Sequence, residues 1–207
     1  METEERPAAS VDSAGNAGSR ERILTAATRL FYEHGIQATG VEELAASAGV
    51  SKRTLYKLFG SKDQLVAAYL EKMHRDLVSH ERPLWRLDLT PRERLIALFD
   101  QPAAGRPYRG CPFHNAAVEL SGPAHPAHPV IRAHKQATLR RIVDTAREAG
   151  ADDPETLGQR IFVLYEGATA LSTSIGGIQS FDYARPVATT LIEQAVGVSL
   201  PGRTGQA

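Results

Sequence analysis

The sequence has few of the features that mark secreted or membrane proteins. It contains a single cysteine, Cys111, so no disulfide can form within the chain, and this is typical of a reducing compartment such as the cytoplasm. No segment approaches the roughly 18 consecutive apolar residues of a membrane-spanning helix. The first 18 residues contain no apolar run, which argues against a signal peptide. We therefore expect a cytoplasmic protein whose core is held by apolar packing.

The chain also lacks an excess of charge of either sign. It has 24 Lys and Arg residues against 24 Asp and Glu residues, which argues against a protein that coats nucleic acid regardless of sequence. A balanced total is nevertheless compatible with a local basic patch. The segment Gly49–Lys62, GVSKRTLYKLFGSK, contains four cations and no acid.

Strand-like alternation of apolar and polar residues is nearly absent, and apolar spacing predicts an all-α fold. A capping box of Thr39 and Glu42 is expected to open a short helix that ends at Gly49. Residues 1–18 are rich in small and acidic residues and predict a disordered tail. The other predicted helices cover residues 19–34, 52–59, 62–79, 91–101, 111–120, 130–149, 154–175 and 187–198.

The helices around Gly49 are ordered as a helix-turn-helix, with a helix, a short helix, a turn and a second short helix. At about 100° per residue, one side of the helix that begins at Lys52 carries three apolar side chains. The opposite arc carries a phenol, a hydroxyl and two cations, which are groups that reach base edges and phosphates in a major groove. Charge alone fits a solvated helix surface equally well, but the turn and the two-sided helix favour DNA.

The segment GVSKRTLYKLFGSKDQL, preceded by LTAATRLFYEHG, resembles the N-terminal domain of TetR/AcrR-type transcriptional regulators. The resemblance covers roughly residues 20–70 and rests on the pattern G-V-S-x-x-T-L-Y-x-x-F-x-x-K-x-x-L. It implies a three-helix DNA-binding domain over residues 19–65. It also implies a helical ligand-binding and dimerisation domain over residues 66–200, followed by a tail over 201–207.

The resemblance also implies which residues contact DNA. Tyr56 and Lys62 match phosphate-contacting positions, and we expect Lys52 to join them, whereas Arg53 is expected to pair with a guanine. The family's frequent Thr or Ser at the start of the second helix is replaced by Gly40, so no side-chain contact is possible there. The predicted DNA-binding residues are Ser51, Lys52, Arg53, Thr54, Tyr56, Lys57 and Lys62.

One helix-turn-helix reads only a few base pairs, so a homodimer on a palindromic operator is expected. The last two long helices carry apolar stripes interspersed with small residues, which predict either a four-helix interface with a second copy or ordinary core. The resemblance favours the interface. Its predicted residues are Ile161, Leu164, Ala168, Leu171, Ile175, Val187, Leu191 and Ala195.

A regulator of this kind is expected to respond to a signal, and we expect a repressor released by an unknown small-molecule inducer. Aromatic and polar residues in the middle of the chain predict an inducer pocket, although core packing explains each of them individually. The predicted pocket residues are Trp85, Phe99, Tyr108, Cys111, Phe113, His114, Phe162 and Tyr165.

Three alternatives remain open from the sequence. Cys111, His114, His125, His128 and His134 lie within one stretch, but no spacing matches a known zinc pattern, so neither a metal nor a cofactor is expected. Cys111 alone, close to Arg106 and Arg109, is a candidate redox sensor. An enzyme is the third alternative. A catalytic pair such as His114 and Glu119 is conceivable, but the sequence contains no phosphate-binding loop, nucleophile elbow or metalloprotease motif.

Overall fold

The computed structural model describes residues 9–77, 83–101 and 108–197. Throughout these ranges the chain is helical and contains no strand, so the predicted all-α fold is confirmed. None of the helices in these ranges combines the length and apolar content that a bilayer crossing requires. The α-helices are α1 Ala9–His34, α2 Val41–Ala48, α3 Lys52–Phe59, α4 Lys62–Leu77, α5 Pro91–Ala97, α6 Pro112–Glu119, α7 Ala127–Glu148, α8 Pro154–Ser174 and α9 Gln179–Val196, with a 3-10 turn at Pro83–Trp85 before α5.

Local signals in the sequence set the limits of α3. Gly49 adopts the left-handed conformation (φ 62°, ψ 41°) that ends α2, a conformation that favours glycine. The hydroxyl of Ser51 then accepts a hydrogen bond from the backbone N–H of Thr54 at 3.0 Å and caps α3. Gly60 ends the helix with φ 79°. The two glycines and the serine therefore hold α3 to eight residues, as the sequence predicts.

The capping box predicted at Thr39 is wrong. Helix α2 begins at Val41, so its N-cap is Gly40, which has no side chain to accept a hydrogen bond. Thr39 lies one residue too early for this role. Its buried hydroxyl instead donates to the carbonyl oxygen of Gly35 at 2.7 Å. Thr39 thus braces the turn between α1 and α2.

Three helices begin earlier than predicted: α7 starts at Ala127 instead of residue 130, and α1 and α9 start more than one turn early. Helix α1 starts at Ala9, so residues 9–18 are helical rather than a disordered tail; several alanines and the absence of proline in this stretch favour a helix. Helix α9 starts at Gln179 instead of residue 187 and contains Pro186. Phe181, on the first turn of α9, is 2% exposed, and its burial offsets the hydrogen bond that the proline removes. Residues 1–8 and the predicted tail 201–207 lie outside the described residues.

The chain divides into two compact units. The first comprises residues 1–75 and 112–131, and the second comprises residues 76–111 and 132–207. The first unit therefore contains α6 as well as the predicted helix-turn-helix. Within it, a carboxylate oxygen of Glu119 on α6 accepts a hydrogen bond from the backbone N–H of Gln37, in the turn between α1 and α2, at 2.9 Å. The assignment of functions to these segments stays a prediction.

Each unit has an apolar core. In the first unit Phe31 and Tyr69 meet edge to face, with ring centroids 5.5 Å apart. Helices α1, α2 and α3 contact one another there, which fixes the orientation of α3. In the second unit α8 packs along α9. The buried residues of that second core include Leu95, Phe99, Ile142, Leu157, Ile161, Ala168, Phe181, Ala188 and Ile192.

Candidate functional site

Helix α3 buries one face and exposes the other. Leu55 is fully buried and Phe59 is 8% exposed. The guanidinium of Arg20 on α1 lies over the Phe59 ring, 4.6 Å from its centroid. This is a favourable cation–π interaction. The apolar face of α3 is therefore held against the rest of the first unit. The opposite face is free to contact another molecule.

That exposed face carries Arg53, Tyr56 and Lys57. All three are exposed, and 41% of Tyr56 is accessible to solvent. The side chains of Arg53 and Lys57 make neither an ion pair nor a hydrogen bond with any residue that the structure describes. Two unpaired cations beside an exposed phenol form a surface suited to a polyanion.

Three other predicted DNA-binding residues are already engaged within the chain. The ammonium of Lys52, the first residue of α3, is hydrogen-bonded to the carboxylate of Glu42 on α2. This bond lowers the pKa of Glu42 below its ordinary value and raises the pKa of Lys52. The hydroxyls of Thr54 and Ser51 lie 2.8 Å apart within hydrogen-bonding distance. To reach a phosphate, the Lys52 ammonium must therefore break its bond to Glu42, or contact the phosphate and Glu42 at the same time.

We expect the Glu42→Gln variant to bind DNA more tightly than wild type. Removing the carboxylate frees the Lys52 ammonium for a phosphate, and the change should be small because solvent screens an exposed ion pair of this kind. The gain should be about fivefold or smaller per subunit. The slope of log affinity against log salt should also become steeper by about 1 per subunit.

Fluorescence anisotropy of a labelled duplex across a salt series measures both quantities. Glu43→Gln is the matched control, because Glu43 is the next residue on α2 and lies 3.3 Å from His34 instead of a lysine of α3. Equal affinities and slopes for both variants would show that Lys52 does not approach the DNA.

Arginines of α1 hold the helix-turn-helix in place. The guanidinium of Arg22 donates to the carbonyl oxygen of Ala48, at the end of α2, at 3.1 Å. The guanidinium of Arg29 donates to the hydroxyl of Ser47 at 2.9 Å. A cation at the carboxyl end of a helix satisfies free carbonyls and complements the helix dipole. The sequence pattern placed these arginines on the side of α1 away from its apolar stripe and did not show this role.

Lys62 is the first residue of α4 and is half-buried. The preceding residue, Ser61, caps this helix by accepting a hydrogen bond from the backbone N–H of Gln64 at 3.1 Å. The Lys62 side chain makes no ion pair with the described residues. A cation at a helix N-terminus is unfavourable to the dipole, so an anion from outside the chain would stabilise it there.

The outer surface of α8 and α9 carries a largely apolar groove whose lining also includes Gln159 and Arg160. Val163 is 71% exposed, and Val187 is 50% exposed. Together with Leu164 and Leu191 they line a groove of about 410 Å³. Leu171 and Ile175 extend the exposed apolar surface along α8 at 51% and 67% exposure.

Two residues predicted for the dimer interface lie in the core instead. Ile161 is fully buried and Ala168 is 3% exposed, so neither is available to a partner. The predicted set of interface residues on α8 therefore included residues of both its inner, buried face and its outer, exposed face. On the outer face, the sequence prediction missed Val163, which is exposed, as is Gly167, one of the small residues interspersed in the stripe. Ala195 is half-buried on α9.

The eight predicted pocket residues do not all lie in one unit. Phe113 and His114 are on α6, in the first unit, whereas the other six belong to the second. In the second unit Tyr165 meets the ring of Phe99 at 6.2 Å between centroids, and Tyr108 meets Phe181 at 6.0 Å. Phe181, which the sequence reading missed, joins the two pairs because its ring lies 6.5 Å from that of Tyr165.

The remaining pocket residues have separate surroundings. Trp85 lies under the guanidinium of Arg141, 5.6 Å from the ring centroid, and Phe162 is half-buried against the second core. Cys111 is half-buried, and its sulfur accepts a hydrogen bond from the ammonium of Lys135 at 3.5 Å.

The histidines considered as metal ligands have other contacts. A ring nitrogen of His125 accepts a hydrogen bond from the backbone N–H of Ala127 at 3.1 Å, and His128 lies 2.9 Å from the carbonyl oxygen of Gly122. Both histidines thus order the turn that precedes α7. Among the residues that the structure describes, no group of three or more His, Cys, Asp or Glu side chains is placed to hold a metal ion.

The helical fold and the exposed cationic helix define a helix-turn-helix DNA-binding protein. Residues 23–69 match the family of bacterial regulatory proteins known as the tetR family. A crystal structure of a TetR-type transcriptional regulator from Streptomyces avermitilis is 35% identical to this chain, with a TM-score of 0.74, and the similarity covers 86% of this chain and 97% of that one. The chain belongs to the TetR family of bacterial regulatory proteins.

Two curated relatives match part of the chain. The HTH-type transcriptional activator FasR of Mycolicibacterium smegmatis is 41% identical over 78 residues, which is 38% of this chain and 36% of that protein. The HTH-type transcriptional repressor KstR2 of Rhodococcus jostii is 36% identical over 87 residues, or 42% of this chain and 43% of that protein. The chain thus matches less than half the length of either relative.

Proposed function

We propose that this protein is a ligand-responsive transcriptional repressor that binds a palindromic operator as a homodimer and leaves it when a small molecule binds. The exposed face of α3 is the observation that carries the proposal. Its two unpaired cations and its phenol lie opposite a fully buried anchor, Leu55, so the helix is held rigidly while its polar face stays accessible. The name of the related repressor KstR2 supports repression.

Each residue of the helix-turn-helix has a proposed role. Tyr56 and Lys62 contact phosphates and set the position of α3 on the duplex. Arg53 pairs with a guanine in the major groove, and Lys57 and Thr54 contribute to base preference. Lys52 reaches a phosphate when its bond to Glu42 opens. Ser51 acts by capping α3.

The proposed dimer buries the outer face of α8 and α9 against the same face of a second copy. An isologous interface of this kind forms a four-helix arrangement. The exposed apolar side chains of Leu171 and Ile175 lie one turn apart, and removing such a surface from water favours association. The revised interface residues are Val163, Leu164, Gly167, Leu171, Ile175, Val187, Leu191 and Ala195.

The proposed inducer site lies in the second unit, beside the aromatic cluster of Phe99, Tyr108, Tyr165 and Phe181. Aromatic walls with a few polar groups are typical of small-molecule sites. Binding there shifts the equilibrium towards a conformation in which the two recognition helices no longer fit successive major grooves.

Substitution of Lys62 and of Arg53 distinguishes a residue that positions α3 on the DNA backbone from a residue that recognises a base. Lys62→Ala should weaken binding to all duplexes alike and make the salt slope shallower by about 1 per subunit. Arg53→Ala should instead lose about 1–3 kcal/mol of discrimination at one base pair in each half-site. Both are measured by anisotropy on a palindromic duplex selected from a random library and on single-base variants of it.

Arg140→Ala serves as the control, because Arg140 is an exposed cation on α7 in the second unit. It should behave as wild type in affinity and discrimination. If Lys62→Ala and Arg53→Ala also match wild type, the assigned DNA contacts are wrong.

A further inference from the structure

Residues 112–131 belong to the first compact unit although they lie far from its other helices in the sequence. The match to the tetR family ends at residue 69, so this segment lies outside the part of the chain that the match covers. It consists of α6, the loop after it and the first residues of α7. Two of its side chains contact the segments that flank the helix-turn-helix, one before α2 and one after α3.

The first contact is made by Glu119, the last residue of α6. Its carboxylate accepts a hydrogen bond from the backbone N–H of Gln37 at 2.9 Å. Its carbonyl oxygen accepts a second one, from the side-chain amide of Gln37, at 3.5 Å. A charged acceptor makes the stronger kind of hydrogen bond to a backbone N–H. Glu119 therefore ties the turn between α1 and α2 to the end of α6.

Gly35 permits this close approach. A Cβ at this position would lie 3.2 and 3.3 Å from the two carboxylate oxygens of Glu119, which is tighter than most contacts of a Cβ. Gly35 also has φ 95°, a conformation that strains any residue with a side chain. The hydroxyl of Thr39 donates to the carbonyl oxygen of the same glycine at 2.7 Å. The turn is thus held by Thr39 from within and by Glu119 from α6.

Helix α2 needs this support because its own start has little. Its N-cap, Gly40, provides no side-chain hydrogen bond, and a helix of eight residues is marginal by itself. Helix α6 is a firm support, since Phe113 and Ala116 are fully buried and Leu120, directly after the helix, is 4% exposed. Glu119 therefore supplies a fixation that the residues next to α2 lack.

The second contact joins His125, in the loop before α7, to Asp63 in the first turn of α4. The His125 side chain is 10% exposed, and its Nε2 lies 3.4 Å from a carboxylate oxygen of Asp63 without the alignment of a hydrogen bond. Its Nδ1 accepts a hydrogen bond from the backbone N–H of Ala127, so the proton of the neutral ring is on Nε2, next to Asp63. This contact lies beside Lys62, the proposed phosphate-contacting residue at the start of α4.

We propose that Glu119 and His125 are positioning residues for operator recognition. They hold the turn before α2 and the first turn of α4, and so fix the orientation of α3 in the major groove. The inference rests on the proposed role of α3 as the helix that reads DNA. Base recognition requires exact placement of donors against base edges, whereas attraction to phosphates tolerates small displacements. Loss of either contact should therefore weaken specific binding much more than non-specific binding.

Two neutral variants of similar size test Glu119 in the full chain. Glu119→Gln keeps an acceptor oxygen in place, whereas Glu119→Met has none. Anisotropy measures affinity for the selected operator and for an unrelated duplex, and a stoichiometric titration gives the active fraction. Glu119→Met should bind the operator about tenfold more weakly than wild type. Its affinity for the unrelated duplex should stay within about twofold of wild type, and Glu119→Gln should match wild type on both duplexes.

His125→Phe tests the second contact, because it keeps an aromatic ring and removes both ring nitrogens. It should lose operator affinity in the same selective way. His128→Phe is the matched control: the His128 ring lies in the same turn, 6.1 Å from that of His125, and its Nε2 contacts the carbonyl oxygen of Gly122 instead of a residue of α4. An equal loss in His125→Phe and His128→Phe would contradict a specific role for the contact with Asp63.

Equal operator affinities for Glu119→Met and Glu119→Gln would overturn the positioning role of Glu119. So would an equal loss on both duplexes in fully active protein, because positioning acts on base recognition. If Glu119→Met is not fully active, Glu119→Asp, whose carboxylate is one methylene shorter, is judged by the same criteria. Failure of the proposed function is recognised separately, since wild type itself would then prefer no duplex.

Discussion

Replacing Val163 with glutamate should convert the proposed dimer into a monomer and lower operator affinity by about 100-fold or more. Val163 is 71% exposed and lines the apolar groove between α8 and α9. In an isologous dimer the substitution places two carboxylates in one apolar interface, where burial of unpaired charge is strongly unfavourable. A monomer has a single recognition helix and loses the gain in affinity that comes from binding two half-sites together.

Val118→Glu provides a matched control for this substitution. Val118 is 73% exposed, carries the same side chain and lies on α6 in the first unit. Analytical ultracentrifugation should find Val118→Glu dimeric and Val163→Glu monomeric, and operator affinity should follow the same order. If Val163→Glu sediments as a dimer, the proposed interface lies on another surface.

The sequence predicted the helix-turn-helix well because short-range signals define it. Gly49, Ser51 and Gly60 act on their immediate neighbours, so the limits of α3 follow from local chemistry. The division of α3 into buried and exposed faces follows from helical periodicity. The polar contacts with α1 and α2, such as Lys52 with Glu42, join residues far apart in the sequence, and periodicity contains no information about them.

The second unit was harder to predict for a related reason. On α8 apolar residues lie on both the inner and the outer face, so spacing alone did not assign Ile161 to the core and Val163 to the surface. Helix α9 begins at Gln179 and not at the predicted residue 187, because burial of Phe181 in the tertiary structure stabilises its first turns, and local spacing does not show that burial. The contact of Cys111 with Lys135 joins two segments 24 residues apart, and no sequence motif indicates it.

Removing both unpaired cations of α3 should abolish specific recognition. The Arg53→Ala, Lys57→Ala double variant keeps Leu55, Phe59 and the Ser51 cap, so the helix and its packing are preserved. The affinity for the selected operator should fall by about 1,000-fold, to the level of an unrelated duplex. The variant should remain dimeric, because both residues lie on α3 and the proposed interface lies on α8 and α9.

The most direct test of the account is therefore a competition titration of this double variant. Its binding to labelled operator is measured by anisotropy while unlabelled operator or unlabelled unrelated duplex is added. We predict that both competitors displace it equally well, whereas wild type is displaced only by the operator at comparable concentration. A dimeric double variant that still prefers the operator as strongly as wild type would contradict the claim that α3 reads the DNA.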